Sequence, residues 1–296
     1  MSERIRVLLS LMLSMICWAF SFVWIKQAFE SFNPLTIIVL RLIISISLLY
    51  LILRLMGRLT PMRKQDFKWF LLLGFFEPFL YFMGETFGLK LVSSTVGAVI
   101  ISTIPLFAPL TDRLFFKSRI SWANILGIFI SFAGVLLLIF KDDFTLLAPV
   151  HGLLLMSLAV FAALGYSVVL KKIPSYYNTV SIITFQNMVG IFFFLPLFFA
   201  IDWPELGQTK ITTKAVTAVI LLALVASTLA FIFFTYGMRI IGITKANVFV
   251  NLIPVFTAII AWWVLGDELT WQMLGGILTV ISGVFVSQIK IRKRGI

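Results

Sequence analysis

The sequence predicts an all-α integral membrane protein with ten transmembrane helices arranged as two inverted five-helix repeats. Three observations carry that expectation: the composition, a series of ten apolar runs, and a long-period match of the chain to itself. Of the 296 residues, 61% are apolar and 12% charged, with a mean hydropathy of +1.08. A soluble globular chain is about 45–50% apolar and about 25% charged, so this chain has too little polar surface to cover a body in water. The composition excludes a soluble enzyme, a nucleic-acid-binding module and a disordered tail protein. Ten spans of ~20 residues use roughly 200 positions and leave no room for a soluble domain.

The runs, in order, are Val7–Gln27, Pro34–Arg54, Phe67–Leu89, Thr95–Phe116, Trp122–Phe140, Gly152–Leu170, Thr179–Ile201, Ala215–Met238, Ala246–Leu265 and Trp271–Ile289. Backbone groups cannot stay unpaired in hydrocarbon, which leaves helices or a closed barrel. Barrel strands would be about ten residues long with alternating polarity, and these runs are neither. The first run follows Arg4 and Arg6, as a signal peptide would. However, Ile16 stands before Cys17, where a lipoprotein signal needs a small residue, and the run continues through Trp24, so it is expected to be a retained helix. Cys17 is the only cysteine and forms no disulfide framework. No connection is long; Asp202 to Lys214 is the largest.

The net charge of +12 sits between the apolar runs and reads as membrane orientation rather than nucleic-acid binding. With a cytoplasmic N-terminus, 18 of the 24 basic residues fall on the inner side, among them Arg4, Arg54, Arg63, Lys64, Arg113, Lys171, Arg239 and Lys290. Only Lys26, Lys90, Lys141, Lys210 and Lys214 fall outside, and Arg41 is left within a span. This asymmetry places both termini in the cytoplasm and the Asp142-Asp143 and Asp267-Glu268 loops outside.

Adding 149 to positions 86–135 gives a gapless match. Thr86 falls on Thr235, Gly88 on Gly237, Lys90 on Arg239, Ile104-Pro105 on Ile253-Pro254, Trp122 on Trp271, Gly127 on Gly276 and Gly134 on Gly283. Earlier in each half the offset is 145, pairing Val23 with Val168 and Lys26 with Lys171. Five spans per half is an odd number, so the second half enters the membrane upside down, the inverted repeat of secondary transporters. The expected units are residues 5–140, residues 151–289 and a basic cytoplasmic tail, 290–296.

On these residues the chain resembles the EamA family of the drug/metabolite transporter superfamily. The similarity lies in Asn33-Pro34 followed by Arg41, Pro105-Leu106-Phe107 leading to Trp122 and the Gly127/Gly134 helix, and their counterparts Pro254-Val255-Phe256, Gly266-Asp267-Glu268 and Gly276/Gly283. It covers about residues 5 to 289. The family's acidic residue after the fourth helix matches Glu268 in the second half, while Arg119 takes its place in the first. The resemblance implies a ten-helix permease, often an exporter of amino acids or other small metabolites.

Ionisable residues inside a span are costly and mark candidate function. Arg41 lies roughly 10 Å from the outer end of its helix, Glu85 roughly 6 Å and Glu77 roughly 18 Å, so Arg41 and Glu85 can meet as a charge pair while Glu77 sits near the midplane. Gly74, Glu77, Tyr81, Glu85 and Gly88 recur at helical spacing on one predicted face, which reads either as a cavity wall or as polar glue between helices. Gly84 and Gly88 form a GxxxG pattern that favours close helix contact. Pro105 and Pro254 are expected hinges, each freeing a carbonyl one turn earlier, with Ser102 and Asn251 as matched candidates for the cavity. Trp18 is a further candidate wall residue. Trp24, Tyr166, Gln186 and His151 carry weaker signals.

No HExxH, GxSxG, Walker-type loop or Cys/His cluster is present, so no metal, cofactor or catalytic residue is expected. The sequence reads as a secondary transporter, an exporter of amino acids or similar small metabolites by alternating access, in the multi-pass cell membrane of a bacterial type. The alternatives are an importer, or a membrane-embedded scaffold or lipid-modifying protein. Its partners are a small-molecule substrate and the bilayer. Protons are a candidate coupling ion, with Glu77 as the carrier; no nucleic acid and no oligomer are required.

Overall fold

The computed structural model of the chain describes residues 3–57, 60–117, 121–139, 148–207, 210–268 and 270–288. Eight helices are long and apolar enough to cross a membrane: α1 (Glu3–Ala28), α2 (Pro34–Leu55), α3 (Lys64–Leu91), α4 (Ser94–Phe115), α6 (Val150–Leu170), α7 (Thr179–Ile201), α8 (Thr213–Ile241) and α9 (Lys245–Leu265). Two further helices, α5 (Trp122–Ile139) and α10 (Trp271–Gln288), carry the shorter apolar stretches Ile125–Leu137 and Trp271–Val286. The helices fall on the ten apolar runs, but eight of them, not ten, reach full spanning length among the described residues. Arg119, Asp142-Asp143, Leu269 and the tail 290–296 lie outside the described residues, and the expectations placed on them stand where the sequence left them.

Local chemistry sets where the helices begin and end. Asn33 is extended (φ −74°, ψ 160°) immediately before Pro34, whose fixed φ suits the first helical position. Asn178 Oδ1 accepts the Ser181 N–H at 2.8 Å to start α7, and Thr212 Oγ1 accepts the Ala215 N–H at 3.2 Å to start α8; each side chain satisfies one of the orphan donors of a helix N-terminus. Gly266, at φ +73°, ends α9 in the left-handed region that favours glycine.

The helices pack in pairs related by the sequence repeat. α3 lies against α6 as α8 lies against α1, α4 against α6 as α9 against α1, and α2 meets α7 as α5 meets α10. The α5–α10 contact is reciprocal at the level of single residues. A Cβ on Gly134 would lie 2.7 Å from Val280 N and 2.9 Å from Gly276 O, and one on Gly283 would lie 2.5 Å from Ser131 N and 2.7 Å from Gly127 O. Gly276, Val280 and Gly283 stand 149 positions after Gly127, Ser131 and Gly134. Ser131 Oγ also donates to Val280 O at 2.7 Å. Such backbone-to-backbone approach is what small residues allow in hydrocarbon, where no hydrophobic force drives helices together. Gly134→Val and Gly283→Val should therefore cost similar amounts, about 1–3 kcal/mol each by overpacking, read as loss of thermal stability in detergent. A large cost at one site and none at the other would contradict the two-fold relation of the contact.

The expected GxxxG contact is present: a Cβ on Gly84 would fall 2.5 Å from Leu155 O, and one on Gly88 2.7 Å from Met156 Sδ. The expectation that Gly74 shares that face is corrected. Glu77 has extended backbone angles (φ −146°, ψ 117°) within α3, and the interruption resets the register. Gly74 consequently meets Val189 and Gln186 of α7, while Gly84 and Gly88 meet α6. α8 has wider, π-type turns over Leu222–Ala230, as α3 has over Phe75–Leu80. The carbonyls released there are taken up by side chains: Thr228 Oγ1 donates to Ala223 O (2.8 Å), the Trp18 indole to Ala226 O (3.3 Å) and Ser45 Oγ to Ser227 O (3.3 Å). Backbone polar groups in a bilayer must find such partners.

Candidate functional site

The interruptions converge on one interhelical cavity, walled by α1, α2, α3, α4, α6, α8 and α9. It lies beside the breaks in α3, α4 and α9. In α4 the helix stops at Ile101 and restarts at Ile104. In α9, tighter turns over Val248–Leu252 precede the restart at Ile253. Pro105 and Pro254 each stand at the second position of the restarted helix, where their missing N–H costs nothing. The two prolines expected as hinges thus stand just beyond breaks in their helices.

The polar wall is built from Arg41, Glu77, Tyr81 and Glu85, all predicted from sequence. Arg41 is buried at 2% exposure. Its Nε donates to Ser227 Oγ at 2.8 Å, its Nη1 lies 3.8 Å from Glu85 Oε2, and its guanidinium sits 4.0 Å over the Phe82 ring. Tyr81 OH donates to Glu85 Oε1 at 3.2 Å. Two buried carboxyls therefore share one guanidinium, which approaches Glu85. Trp18 lines the apolar wall together with Phe22, Phe231 and Phe234, its ring packed edge-on to Phe231 at 5.3 Å.

Other predicted members are not in the wall. Ser102 and Asn251 turn back onto their own helices, Ser102 Oγ donating to Val99 O at 2.7 Å and Asn251 Nδ2 to Val248 O at 2.8 Å. Each occupies the last turn before a helix restarts, where its side chain bonds a carbonyl of its own segment. Trp24 stacks on Phe20 at 5.3 Å, Gln186 is buried between helices and His151 is exposed; none of the three lines the cavity. The sequence reading passed over Ser227, Asn247, Phe231 and Phe234. A Ser227-Thr228 pair inside an otherwise apolar run is the signal that could have found the first of these.

Polar ties hold both ends of the bundle. At the end bearing Arg63, Asp66 Oδ2 accepts from Tyr176 and from Tyr177 OH (2.9 Å), the Tyr177 hydroxyl accepts the Arg63 N–H (2.9 Å), and Arg239 donates to Tyr177 O (2.5 Å) and Ser175 O (3.1 Å). Burial first, and the neighbouring Asp66 after it, push the Tyr177 hydroxyl up to about 12, so it remains a donor throughout the physiological range. At the opposite end Thr36 donates from its N–H (2.8 Å) and hydroxyl (2.9 Å) to Asp202 Oδ2, the Thr212 N–H donates to Ser31 Oγ (3.0 Å), and Lys214 pairs with Glu30 (2.6 Å). The Asp267 carboxyl, just past α9, is raised above its ordinary range by burial, with Lys26 opposing the shift.

The EamA-like transporter family model matches residues 5–140 and again residues 150–288. The chain belongs to the EamA-like transporter family, and it is a multi-pass membrane transporter. It is similar to the uncharacterized transporter YdfC of Bacillus subtilis, 29% identical over 98% of this chain and 94% of that one. It is also similar to an uncharacterized transporter of Archaeoglobus fulgidus, 26% identical over 98% of this chain and 99% of that one. A crystal structure shares the fold with a TM-score of 0.71, at 16% identity over 97% of each chain.

Proposed function

We propose that the chain is an alternating-access secondary carrier that exports amino acids or similar small metabolites. In this reading residues 5–140 and 151–289 are inverted five-helix halves, both termini are cytoplasmic in the cell membrane, and substrate binds in the cavity between the halves. The observation that carries the reading is the meeting of Arg41, Glu85 and Glu77 with three interrupted helices around one buried, aromatic-walled space. A guanidinium and a carboxylate side by side can receive the two ends of a zwitterion, while the aromatic wall receives its apolar part. Reciprocal packing of repeat-related helices supports the two-half arrangement, since two packings of nearly equal energy are what a rocking carrier needs. The basic-residue asymmetry supports the orientation, and the family resemblance supports export and the substrate class.

Counterflow in vesicles tests it. Purified protein preloaded with unlabelled amino acids should accumulate the labelled counterpart of at least one, without ATP. Flux no greater than that of empty vesicles across an amino-acid and metabolite panel would favour a scaffold or lipid-modifying role.

The hinges give a second expectation. Replacing both Pro105 and Pro254 with alanine should preserve folding, because alanine also fits the first turn of a helix, and should slow exchange by supplying the N–H that a helix continuous across each break would need. Unchanged turnover in the double variant would reduce the prolines to passive positions.

A further inference from the structure

Six buried side-chain polar atoms among the described residues have no hydrogen-bond partner: Arg41 Nη1, Glu85 Oε2, Thr86 Oγ1, Gln186 Oε1, Asn247 Nδ2 and Asn251 Oδ1. Three of them, on Arg41, Glu85 and Asn247, belong to residues that wall the cavity. A buried donor without an acceptor is costly, and proteins rarely retain one without a use. Arg41 and Glu85 approach each other at 3.8 Å, too far for a hydrogen bond. Asn247 is different. It is neutral, only 2% exposed, and sits where α9 passes into its tighter turns, immediately before Val248. Among the described residues nothing takes its side-chain N–H, yet its residue faces the same space as the guanidinium.

We propose that Asn247 donates its amide N–H to the carboxylate of the transported compound, opposite or beside Arg41, and so makes the site select carboxylate-bearing amines over amines that lack the carboxylate. The inference rests on the reading of the cavity as the transport site. A carboxylate fits the two orphan donors better than a hydroxyl or carbonyl. It offers two oxygens, one for each donor, and its charge replaces that of Glu85 beside the guanidinium. Glu85 Oε2 is then free to accept from the ammonium group. The donors lie on α2 and α9, one from each half of the chain, so a carboxylate held by both also links the halves. The aromatic wall leaves the third substituent apolar, and an α-amino acid with an apolar side chain meets all three demands.

The test uses full-length protein in vesicles, with labelled L-phenylalanine as the first probe and the remaining amino acids after it. Phenethylamine, the same molecule without its carboxylate, serves as competitor, as does the corresponding amine of any other amino acid transported. Asn247→Ala should raise the KM for the amino acid about tenfold or more, the loss of one charge-assisted hydrogen bond, while inhibition by the amine stays as in wild type. Asn247→Asp keeps the side chain's size and replaces the donor with an acceptor; it should lose the amino acid more completely and again spare the amine. Equal weakening toward amino acid and amine, or an unchanged KM in both variants, overturns the assignment. Wild-type protein that exchanges no amino acid defeats the transport-site reading instead, an outcome separate from an inert Asn247 in an active carrier.

Discussion

Arg41→Ala is expected to abolish transport and to destabilise the fold by about 3–5 kcal/mol, the usual cost of removing one partner of a buried ion pair. The guanidinium makes three contacts at once: the hydrogen bond to Ser227, the approach to Glu85 and the face of Phe82. Without it, among the described residues Glu85 retains only the Tyr81 hydroxyl, and the cavity wall keeps two carboxyls and no cation. Arg41→Lys keeps the charge, but a single ammonium cannot span Ser227 and Glu85 while lying over a ring; it should express well and still transport poorly. The charge swap separates the roles. If the pair were only a strut between α2 and α3, Arg41→Glu with Glu85→Arg would restore both stability and transport. If it is a substrate site, the swap restores stability and leaves affinity low, because the charges have exchanged places. The readouts are thermal stability in detergent and counterflow KM, measured on the same preparations.

Glu77→Gln is expected to remove the response of flux to a pH gradient while sparing substrate counterflow. Glu77 is 6% exposed, lines the cavity and stands at the interruption of α3. A carboxylate at that depth is expensive to keep charged, and the one nearby guanidinium is engaged with Glu85. Proton binding at Glu77 would neutralise the empty site, and its release would accompany the other half of the cycle. Glutamine keeps the shape and fixes the neutral state, so exchange of substrate for substrate should continue and net proton-driven movement should stop. Wild-type flux indifferent to pH difference would remove protons from the account and leave facilitated efflux.

Much of this was legible in the chain because membrane physics writes long, unambiguous signals. Apolar runs of about twenty residues give the helices their positions, and rare charges within them, Arg41, Glu77 and Glu85, stand out against Leu and Phe. The 149-residue repeat matched Gly134 with Gly283 along the chain, while the contact between their helices came only from the fold. What sequence could not give was the interior of each helix. Glu77 breaks α3 through its backbone angles, which shifted Gly74 to another partner, and periodicity over an assumed continuous helix could not register that. Ser102 and Asn251 looked like cavity residues because they precede the prolines, yet their side chains bond carbonyls of their own segments. Asn247 and Ser227 are short polar residues of ordinary appearance. Their place at the site comes from α8 packing against α2 and from α9 walling the same cavity, which no local pattern encodes.

If one cavity opens alternately to the two sides of the membrane, a thiol at Ser21 should report it. Ser21 lines the cavity from α1 and is buried at 2% exposure, and Cys17 is the only native thiol. In a Cys17→Ser background, Ser21→Cys can be challenged with a membrane-impermeant thiol reagent from outside intact cells and, separately, from the cytoplasmic side of inverted vesicles. Labelling is expected from both sides, slowed from both by a transported substrate. Labelling from one side alone, or labelling that substrate does not affect, would contradict it.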